Sequence, residues 1–355
     1  MTEFLLKPKL LQIELSSFCN ALCLGCHRTN TKNYNSIRPS IPKNKIVSIE
    51  TFTKLLDSNI MASLEELEFC GTIDEPTMHP NFLEILHTVQ NKKKYRITIH
   101  TNGGTRDINY WKKLAEVCKL YPEHLVLFNI DGLEDTNHIY RQYTNFNKII
   151  ENAKAFIDAG GETQWQFIIF PWNKHQIQEA SKLSNQLGFD RFVTRHDSSH
   201  ITNDSALGGN EALEDILEKK KLNIKMAGPG DPVDYSEVQN RKIECNSLSK
   251  SMYFVSCDSK LWPCCFIPNG FYLASTFSNY LHERMYKNYD ENFNDLTKFS
   301  ADEIVNHAFY KNDLVTSFNN KVGTGCTDKI SRCADTCTVN QLKKIPIGKV
   351  KEYVA

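Results

Sequence analysis

Alternation between apolar, β-rich runs and segments of helical periodicity is the feature that most constrains how this chain folds. One run ends at Leu15, and five more cover residues 67–70, 96–101, 125–130, 164–170 and 191–194. Segments of helical period lie between them, near residues 50–61, 81–91, 109–120, 146–159 and 173–187. Strands separated by a helix form βαβ units, and their right-handed repetition builds a parallel sheet. We therefore predict an α/β fold with six strands, a partial (β/α)6 barrel of the TIM-like kind.

The repetition stops after residue 196 and divides the chain into three predicted parts. Residues 1–196 form the barrel, and residues 197–240 form a connector that is rich in glycine and proline around one charged helix near 211–221. Residues 241–355 hold seven of the twelve cysteines, all from Cys245 to Cys337. We predict that they form a smaller, cysteine-rich α+β domain that binds a metal cluster.

Composition and charge exclude several classes of protein. Lys plus Arg and Asp plus Glu both number 42, so no net field draws the chain to nucleic acid or to a membrane. No apolar run approaches the roughly 20 residues of a membrane span, and residues 1–10 lack the pattern of a signal peptide. Twelve cysteines in such a chain indicate metal ligation in a reducing compartment rather than secreted disulfides. We expect a cytoplasmic protein.

Three cysteines follow the first predicted strand in the spacing Cys-x3-Cys-x2-Cys, at Cys19, Cys23 and Cys26. Three thiolates within eight residues reach one centre without long-range folding. An electron-transfer 4Fe-4S cluster usually has four cysteine ligands, whereas a metal site with an open position binds a substrate or cofactor there. The spacing therefore predicts a catalytic cluster, with a structural zinc loop and unrelated buried thiols as the alternatives.

This cysteine spacing resembles that of the radical S-adenosylmethionine (SAM) superfamily. The resemblance implies a 4Fe-4S cluster on Cys19, Cys23 and Cys26, with the amine and carboxylate of SAM on the fourth iron. Gly25 departs from the pattern, because the residue before the third cysteine is commonly an aromatic that touches adenine. Another side chain must then fill that space.

Further motifs resemble those by which the family holds SAM. The segment from Cys70 to Pro76 is similar to a stretched Gly-Gly-Glu-Pro motif, whose acceptors suit the SAM amine. Either Asp74 or Glu75 supplies its carboxylate; an ordinary acidic turn is the alternative. The residues that the resemblance assigns to SAM are Gly71, Asp74, Glu75, Pro76, Thr101, Asn102, Asn129, Asp131, Arg141 and Phe170.

The assignments from Thr101 to Phe170 depend on motifs at the ends of three predicted strands and on one further segment, which contains Arg141. Thr101-Asn102-Gly103 and Asn129-Ile130-Asp131-Gly132 are similar to family motifs near the ribose, although Asn129 replaces the usual serine. Arg141 suits the SAM carboxylate through its two-donor geometry, unless it forms a surface ion pair. Phe170 ends the fifth strand, where it contacts adenine or packs in the core.

The C-terminal cysteines resemble the Twitch and SPASM auxiliary domains of the same superfamily. Cys245, Ser259 and Cys264 match the Cys-x9-15-Gly-x4-Cys opening, with Ser259 in place of glycine and a β-hairpin around it. One auxiliary 4Fe-4S cluster, the Twitch pattern, fits better than a full SPASM set. The expected ligands are Cys245, Cys264, Cys333 and Cys337, with Cys257, Cys265 or Cys326 as replacements and zinc as the alternative metal.

The resemblance implies an enzyme that reductively cleaves SAM to a 5'-deoxyadenosyl radical, which abstracts hydrogen from a peptide or small-molecule substrate. A flavodoxin- or ferredoxin-type donor would supply the electron, and Cys70, beside the SAM site, is a candidate hydrogen donor to a substrate radical. Many peptide maturases carry an N-terminal recognition domain, for which the residues before Cys19 leave no room. The alternative is a non-catalytic iron-sulfur or zinc-binding protein on the same fold.

Overall fold

The computed structural model describes residues 7–30, 33, 35–196, 242–272 and 276–337, without the side chains of residues 196, 276–280, 332, 335 and 336. The predicted connector at 197–240, including its helix near 211–221, and the tail from 338 lie outside the described residues. Among the described helices, none is both long enough and apolar enough to span a bilayer.

Six strands and six helices make up the repeating part of the chain. The strands are β1 (Leu10–Ile13), β2 (Glu66–Phe69), β3 (Arg96–Thr101), β4 (Glu123–Asn129), β5 (Thr163–Ile169) and β6 (Arg191–His196). The helices are α1 (Ile49–Leu56), α2 (Phe82–Gln90), α3 (Ile108–Cys118), the short α4 (Asn137–Tyr140), α5 (Phe146–Asp158) and α6 (Ile177–Leu187). Three 3₁₀ turns span Asn59–Ser63, Pro76–Met78 and Lys174–Gln176.

These strands follow one another in chain order across the sheet, and β3 to β6 pair in parallel. The register aligns Arg96 with Glu123 and Val126 with Thr163. Strand β4 begins at Glu123, two residues before the predicted run, because each of its first six residues pairs with a residue of β3. The prediction of an α/β fold with a six-stranded parallel sheet, as in a partial TIM-like barrel, is confirmed.

By internal contacts the chain forms two compact units. One consists of Pro42–Leu67 with the described parts of Met1–Ser17 and Pro229–Ile347, and the other of Phe18–Ile41 with the described part of Glu68–Gly228. The three loop cysteines and all the residues assigned to SAM belong to the second unit, whereas the C-terminal cysteines belong to the first. Each site can thus be described within one unit.

The helices of the second unit start and pack for identifiable reasons. Asp107 caps α3 and Asn145 caps α5, each through its side chain and a backbone N–H three residues on. Both helices bury an apolar face, where the fully buried Trp111 meets Phe128 and Phe156 at 5.2 and 6.3 Å between ring centroids. Burial of such aromatic rings, each worth roughly 1.5–3 kcal/mol, keeps the helices on the sheet.

The other unit continues after the undescribed segment with a hairpin and short helices. Its elements are α7 (Asn246–Ser249), β7 (Met252–Val255), β8 (Leu261–Trp262), α8 (Phe266–Tyr272), α9 (Thr276–Tyr286), α10 (Ala301–Val305), a π-helical turn (Phe309–Asp313), α11 (Leu314–Ser317) and α12 (Ser331–Thr336). Strand β7 pairs in parallel with β1 and antiparallel with β8, so the predicted hairpin is present. Ser259 in its turn has φ +63°, the left-handed conformation that glycine adopts most easily. The position therefore suits glycine, which is the residue that the resembled Twitch pattern has there.

Candidate functional site

Cys19, Cys23 and Cys26 line one cavity of about 240 Å³ in the second unit. Each sulfur lies near an N–H donor: the Ala21 amide is 3.4 Å from Cys19 Sγ, and the Arg28 amide is 3.4 Å from Cys26 Sγ. Nη1 of Arg141 lies 3.8 Å from Cys23 Sγ. Because N–H groups stabilise thiolate sulfur, this donor set suits an anionic cluster.

Burial affects the pKa values of two of the loop thiols. Burial, together with Glu75 and the neighbouring thiols, raises the pKa of Cys19. Burial raises the pKa of Cys23 to about 12, although the Arg141 guanidinium opposes this. Without metal these thiols are protonated at neutral pH, so metal binding must displace their protons.

A single zinc ion sets a limit on the distance between its sulfur ligands. A Zn–S bond is about 2.3 Å, so two sulfurs on one zinc lie within about 4.6 Å of each other. Across the described residues, one set of three His, Cys, Asp or Glu side chains has its ligand atoms within 4.8 Å of one another, and it includes none of the loop or C-terminal cysteines. The three loop sulfurs do not form such a set among the described residues.

Backbone hydrogen bonds attach the cysteine loop to the segment that carries Arg141. The Leu22 amide donates to the Gln142 carbonyl at 3.2 Å, and the Leu24 amide donates to the Tyr140 carbonyl at 3.3 Å. Cys23 and Arg141 therefore lie opposite each other in a short main-chain ladder. This pairing explains the contact between the guanidinium and the Cys23 sulfur.

Gly71, Asp74 and Glu75 line the same cavity as the three cysteines. A Cβ atom on Gly71 would lie 1.4 Å from Asp74 Oδ1, so only glycine allows this approach of the backbone to the carboxylate. Pro76 is buried and begins the 3₁₀ turn that Glu75 caps through its side chain. The segment thus presents two carboxylates to the cavity, while Pro76 shapes the turn behind them.

Glu75 is the centre of a buried hydrogen-bond network. Its Oε1 accepts from the hydroxyls of Thr101 and Thr77 at 2.6 and 2.7 Å, and its Oε2 accepts from the Asn102 amide at 2.7 Å. Burial raises the pKa of Glu75, and these hydrogen bonds lower it in part. In this arrangement Glu75 joins the ends of β2 and β3, whereas Asp74 is the less buried of the two carboxylates.

The amide side chain of Asn102 connects this network to the cysteine loop. Its Nδ2 donates to Asn20 Oδ1 at 2.8 Å and lies 3.8 Å from Cys19 Sγ. Asn129 also lines the cavity; its Nδ2 donates to the Thr101 carbonyl, and its Oδ1 accepts from Gln166 Nε2. Both predicted asparagines thus border the cavity.

Asp131 is fully buried behind Arg141. Its Oδ2 accepts from Arg141 Nε at 2.7 Å, and its Oδ1 accepts from the Ile168 amide at 2.7 Å. Burial opposes the charge of Arg141, but Asp131 and Cys23 together raise the pKa of the guanidinium. Arg141 lines the cavity as a permanent cation, and Asp131 fixes its orientation.

Phe170 belongs to an aromatic cluster that reaches the cavity through Tyr140. Its ring stacks on Trp172 at 4.5 Å and lies 4.6 Å from the ring of Tyr140. Tyr140 lines the cavity together with Gly25. Among the described residues that line this cavity, Tyr140 is the one phenylalanine, tyrosine or tryptophan.

Four C-terminal cysteines lie in one region of the other unit. The Glu244 amide donates to the Cys337 carbonyl, and the Cys337 amide to the Cys333 carbonyl. Burial raises the pKa of Cys264 to about 11, and Cys245 adds to the rise. Of the three proposed replacements, Cys326 is exposed, Cys257 is buried beside Glu14, and Cys265 lies next to Cys264.

Sequence reasoning missed several polar side chains around the cavity: Asn20, Thr77, His100, Tyr140 and Gln166. For His100, the sequence does contain a signal. Strand β3 alternates buried and half-buried side chains, so that Thr98 and His100 share one face. Asn20 and Tyr140 lack such a signal, because the main-chain ladder brings them to the site.

Comparisons with known proteins agree with this fold and motif order. The family model of the Radical SAM superfamily matches residues 13–183. A Pyrococcus furiosus protein described as a tungsten-containing aldehyde ferredoxin oxidoreductase cofactor-modifying protein is 21% identical over 263 residues, which cover 72% of this chain and 70% of that protein.

Among solved structures, Streptococcus suis SuiB bound to precursor peptide SuiA matches with a TM-score of 0.51 and 16% sequence identity. The match covers 77% of this chain and 66% of SuiB, just under two thirds of its length. At that identity the likeness shows a shared fold. Together with this shared fold, the family match identifies residues 13–183 as a Radical SAM domain.

Proposed function

We propose that this protein is a radical SAM enzyme whose 4Fe-4S cluster is held by Cys19, Cys23 and Cys26. The observation that carries the proposal is the shared cavity, which three thiols line together with Asp74, Glu75 and Arg141. Sulfur donors, acceptors for an amine and a cation for a carboxylate are the groups that a cluster and SAM require.

When bound and reduced by one electron, the cluster and SAM would supply radical chemistry that abstracts hydrogen from a substrate. The chain's own residues bind and orient these groups. Asp74 or Glu75 accepts from the SAM amine, Arg141 pairs with the SAM carboxylate, and Asn129 and Asn102 border the ribose. Tyr140, next to Phe170, provides an apolar surface for adenine in place of a side chain at Gly25.

An auxiliary 4Fe-4S cluster on Cys245, Cys264, Cys333 and Cys337 completes the proposal. Burial raises the pKa of Cys264, and hydrogen bonds from the Phe266 and Ile267 amides partly offset this rise. The Ser247 hydroxyl contacts both Cys264 and Cys245. Such donors stabilise ligand sulfur. The division into a barrel at 1–196, a connector at 197–240 and a Twitch-like domain at 241–355 remains part of the proposal.

The substrate proposed is a peptide or a small molecule, with a flavodoxin- or ferredoxin-type protein as electron donor. SuiB was solved with a precursor peptide. At 16% sequence identity, the likeness between this chain and SuiB shows a shared fold and does not identify a shared substrate. A cytoplasmic location is also part of the proposal, because a chain with twelve cysteines that include metal ligands suits a compartment that keeps thiols reduced.

Anaerobic reconstitution with iron and sulfide, followed by dithionite and SAM, tests the function through chromatography for 5'-deoxyadenosine. We expect product from the wild type, none from Cys23→Ala, and wild-type product from Cys118→Ala, whose buried thiol lies in α3. A wild-type protein fully loaded with iron that forms no 5'-deoxyadenosine would favour the non-catalytic iron-sulfur protein instead.

A further inference from the structure

Three metal-binding side chains meet beside the cysteine cavity. Glu68 lies on β2, Cys70 directly follows that strand, and His100 lies on the neighbouring strand β3. One ligand atom from each of the three lies within 4.8 Å of the other two. Among the described residues this is the one such grouping of three.

Strand geometry explains why these side chains converge. Glu68 and Cys70 are two residues apart, so they point to the same face of the sheet, while Leu67 and Phe69 are buried on the other. His100 Nε2 lies 3.0 Å from Glu68 Oε1, with 23% and 19% of their side chains exposed. A hydrogen bond joins two of the three groups, and the thiol on the same face adds a third donor.

The donor types select a class of metal. Imidazole nitrogen, thiolate sulfur and carboxylate oxygen are the three ligand types that zinc accepts in proteins. Sites with four protein ligands are structural, whereas sites with three keep a position open for water or substrate. A Cys-His-Glu set is of the second kind.

The location of His100 indicates which cavity the open coordination position of a bound metal would face. His100 lines the cavity that also contains Cys19 and Arg141, and all three members of the group are half-buried rather than enclosed. A metal ion there would thus present its exchangeable position to a molecule in the cavity. An oxygen or nitrogen donor of such a molecule is the ligand that fits.

We propose that Glu68, Cys70 and His100 bind one divalent zinc ion with an open coordination position toward this cavity. The site is separate from both cysteine sets and requires neither SAM nor a cluster to form. It also gives Cys70 a role as metal ligand in place of the hydrogen donor considered from the sequence.

The test uses holoprotein with its clusters reconstituted, stripped of loose metal by a chelator, incubated with zinc and desalted. Zinc and iron are then counted by mass spectrometry. We expect about one zinc per wild-type chain with three protein ligands, and loss of that zinc in Cys70→Ala and His100→Ala without loss of iron. Glu68→Gln keeps a hydrogen-bonding partner for His100 and should also lose zinc, whereas the matched thiol control Cys118→Ala should retain it.

X-ray absorption at the zinc edge identifies the ligands. One sulfur at about 2.3 Å with nitrogen or oxygen at about 2.0–2.2 Å is expected, and Cys70→Ser should remove the sulfur contribution. Equal zinc in the wild type and the three ligand variants, or zinc surrounded by sulfur alone, would overturn the site. Formation of 5'-deoxyadenosine by the same samples reports separately on the proposed SAM chemistry.

Discussion

Nε of Arg141 donates to the fully buried carboxylate of Asp131 at 2.7 Å, while its Nη1 lies 3.8 Å from Cys23. Asp131 thereby fixes the orientation of the Arg141 guanidinium, and Arg141 lines the cavity. Asp131 is already occupied by Arg141 and by the Ile168 amide. These bonds support a positioning role of Asp131 toward Arg141, beside the contact with SAM that the sequence motif predicts.

Asp131→Asn should weaken both the fold and the binding of SAM. Removal of one charge from a buried pair costs about 3–5 kcal/mol, and Arg141 loses the partner that orients it. We expect the free energy of unfolding to fall by about that amount and SAM affinity to fall by roughly tenfold, or about 1.4 kcal/mol. Urea unfolding and equilibrium dialysis with SAM measure the two effects.

The control for this variant is an exposed pair in the same unit. Arg191 and Glu162 lie 2.9 Å apart with 52% and 40% of their side chains exposed, so Glu162→Gln should change stability by less than about 1 kcal/mol. Equal effects of Asp131→Asn and Glu162→Gln would contradict the positioning role of Asp131.

Iron content should distinguish the auxiliary ligands from their replacements. Cys326 is exposed, and its carbonyl accepts from the Tyr289 hydroxyl, so Cys326→Ala should leave iron unchanged. Cys337 is buried and hydrogen-bonded to Cys333 through the backbone. Cys337→Ala should remove about four iron atoms per chain, the content of one cubane cluster; the opposite pattern would make Cys326 the ligand.

Ser247 should tune the auxiliary cluster without being a ligand. Its hydroxyl contacts both Cys245 and Cys264, and hydrogen bonds to sulfur raise a cluster's reduction potential. Ser247→Ala should lower the potential by roughly 40 mV, the equivalent of about 1 kcal/mol for one electron. A redox titration followed by electron paramagnetic resonance measures the shift, and Ser249→Ala, whose hydroxyl bonds only the Asn246 carbonyl, should show none.

The stability of the second unit should fall on mild acidification because of His124. Its Nε2 accepts from the Glu162 amide at 3.1 Å, and burial lowers its pKa. The unfolded chain therefore binds more protons near its ordinary pKa of about 6.5, so stability is full above that pH and declines as pH falls through the folded pKa.

Urea unfolding at pH 7.5 and at successively lower pH measures this loss. His124→Gln keeps an acceptor for the Glu162 amide but does not titrate in this range, so its decline should be shallower than that of the wild type. Identical pH profiles for the two proteins would show that His124 does not contribute.

Elements of the fold that depend on short-range patterns were predictable from the sequence. Strand β3 has the predicted bounds, since its alternation is regular and its end coincides with Thr101. Strand β1 is shorter than its apolar run, because from Leu15 onward the chain bonds to residues 45–47 instead of continuing the strand, as in the Val47 amide to the Leu15 carbonyl.

The site was less predictable where long-range contacts decide a role. The strand-end motifs indicated that Asp74 and Glu75 belong to the cavity, but they did not distinguish the two. The distinction depends on Thr101 and Asn102, which reach Glu75 from the next strand. Asp131 and Tyr140 depend likewise on partners that local spacing does not reveal.

The two hydrogen bonds from Leu22 and Leu24 to the carbonyls of residues 142 and 140 join main chain to main chain. They are indifferent to the side chains at those positions, so the loop tolerates drift in composition, including the glycine at position 25. They do not tolerate drift in length. A single inserted or deleted residue between Leu22 and Leu24, or between residues 140 and 142, would shift the ladder and separate the guanidinium from the sulfur, even with every ligand retained.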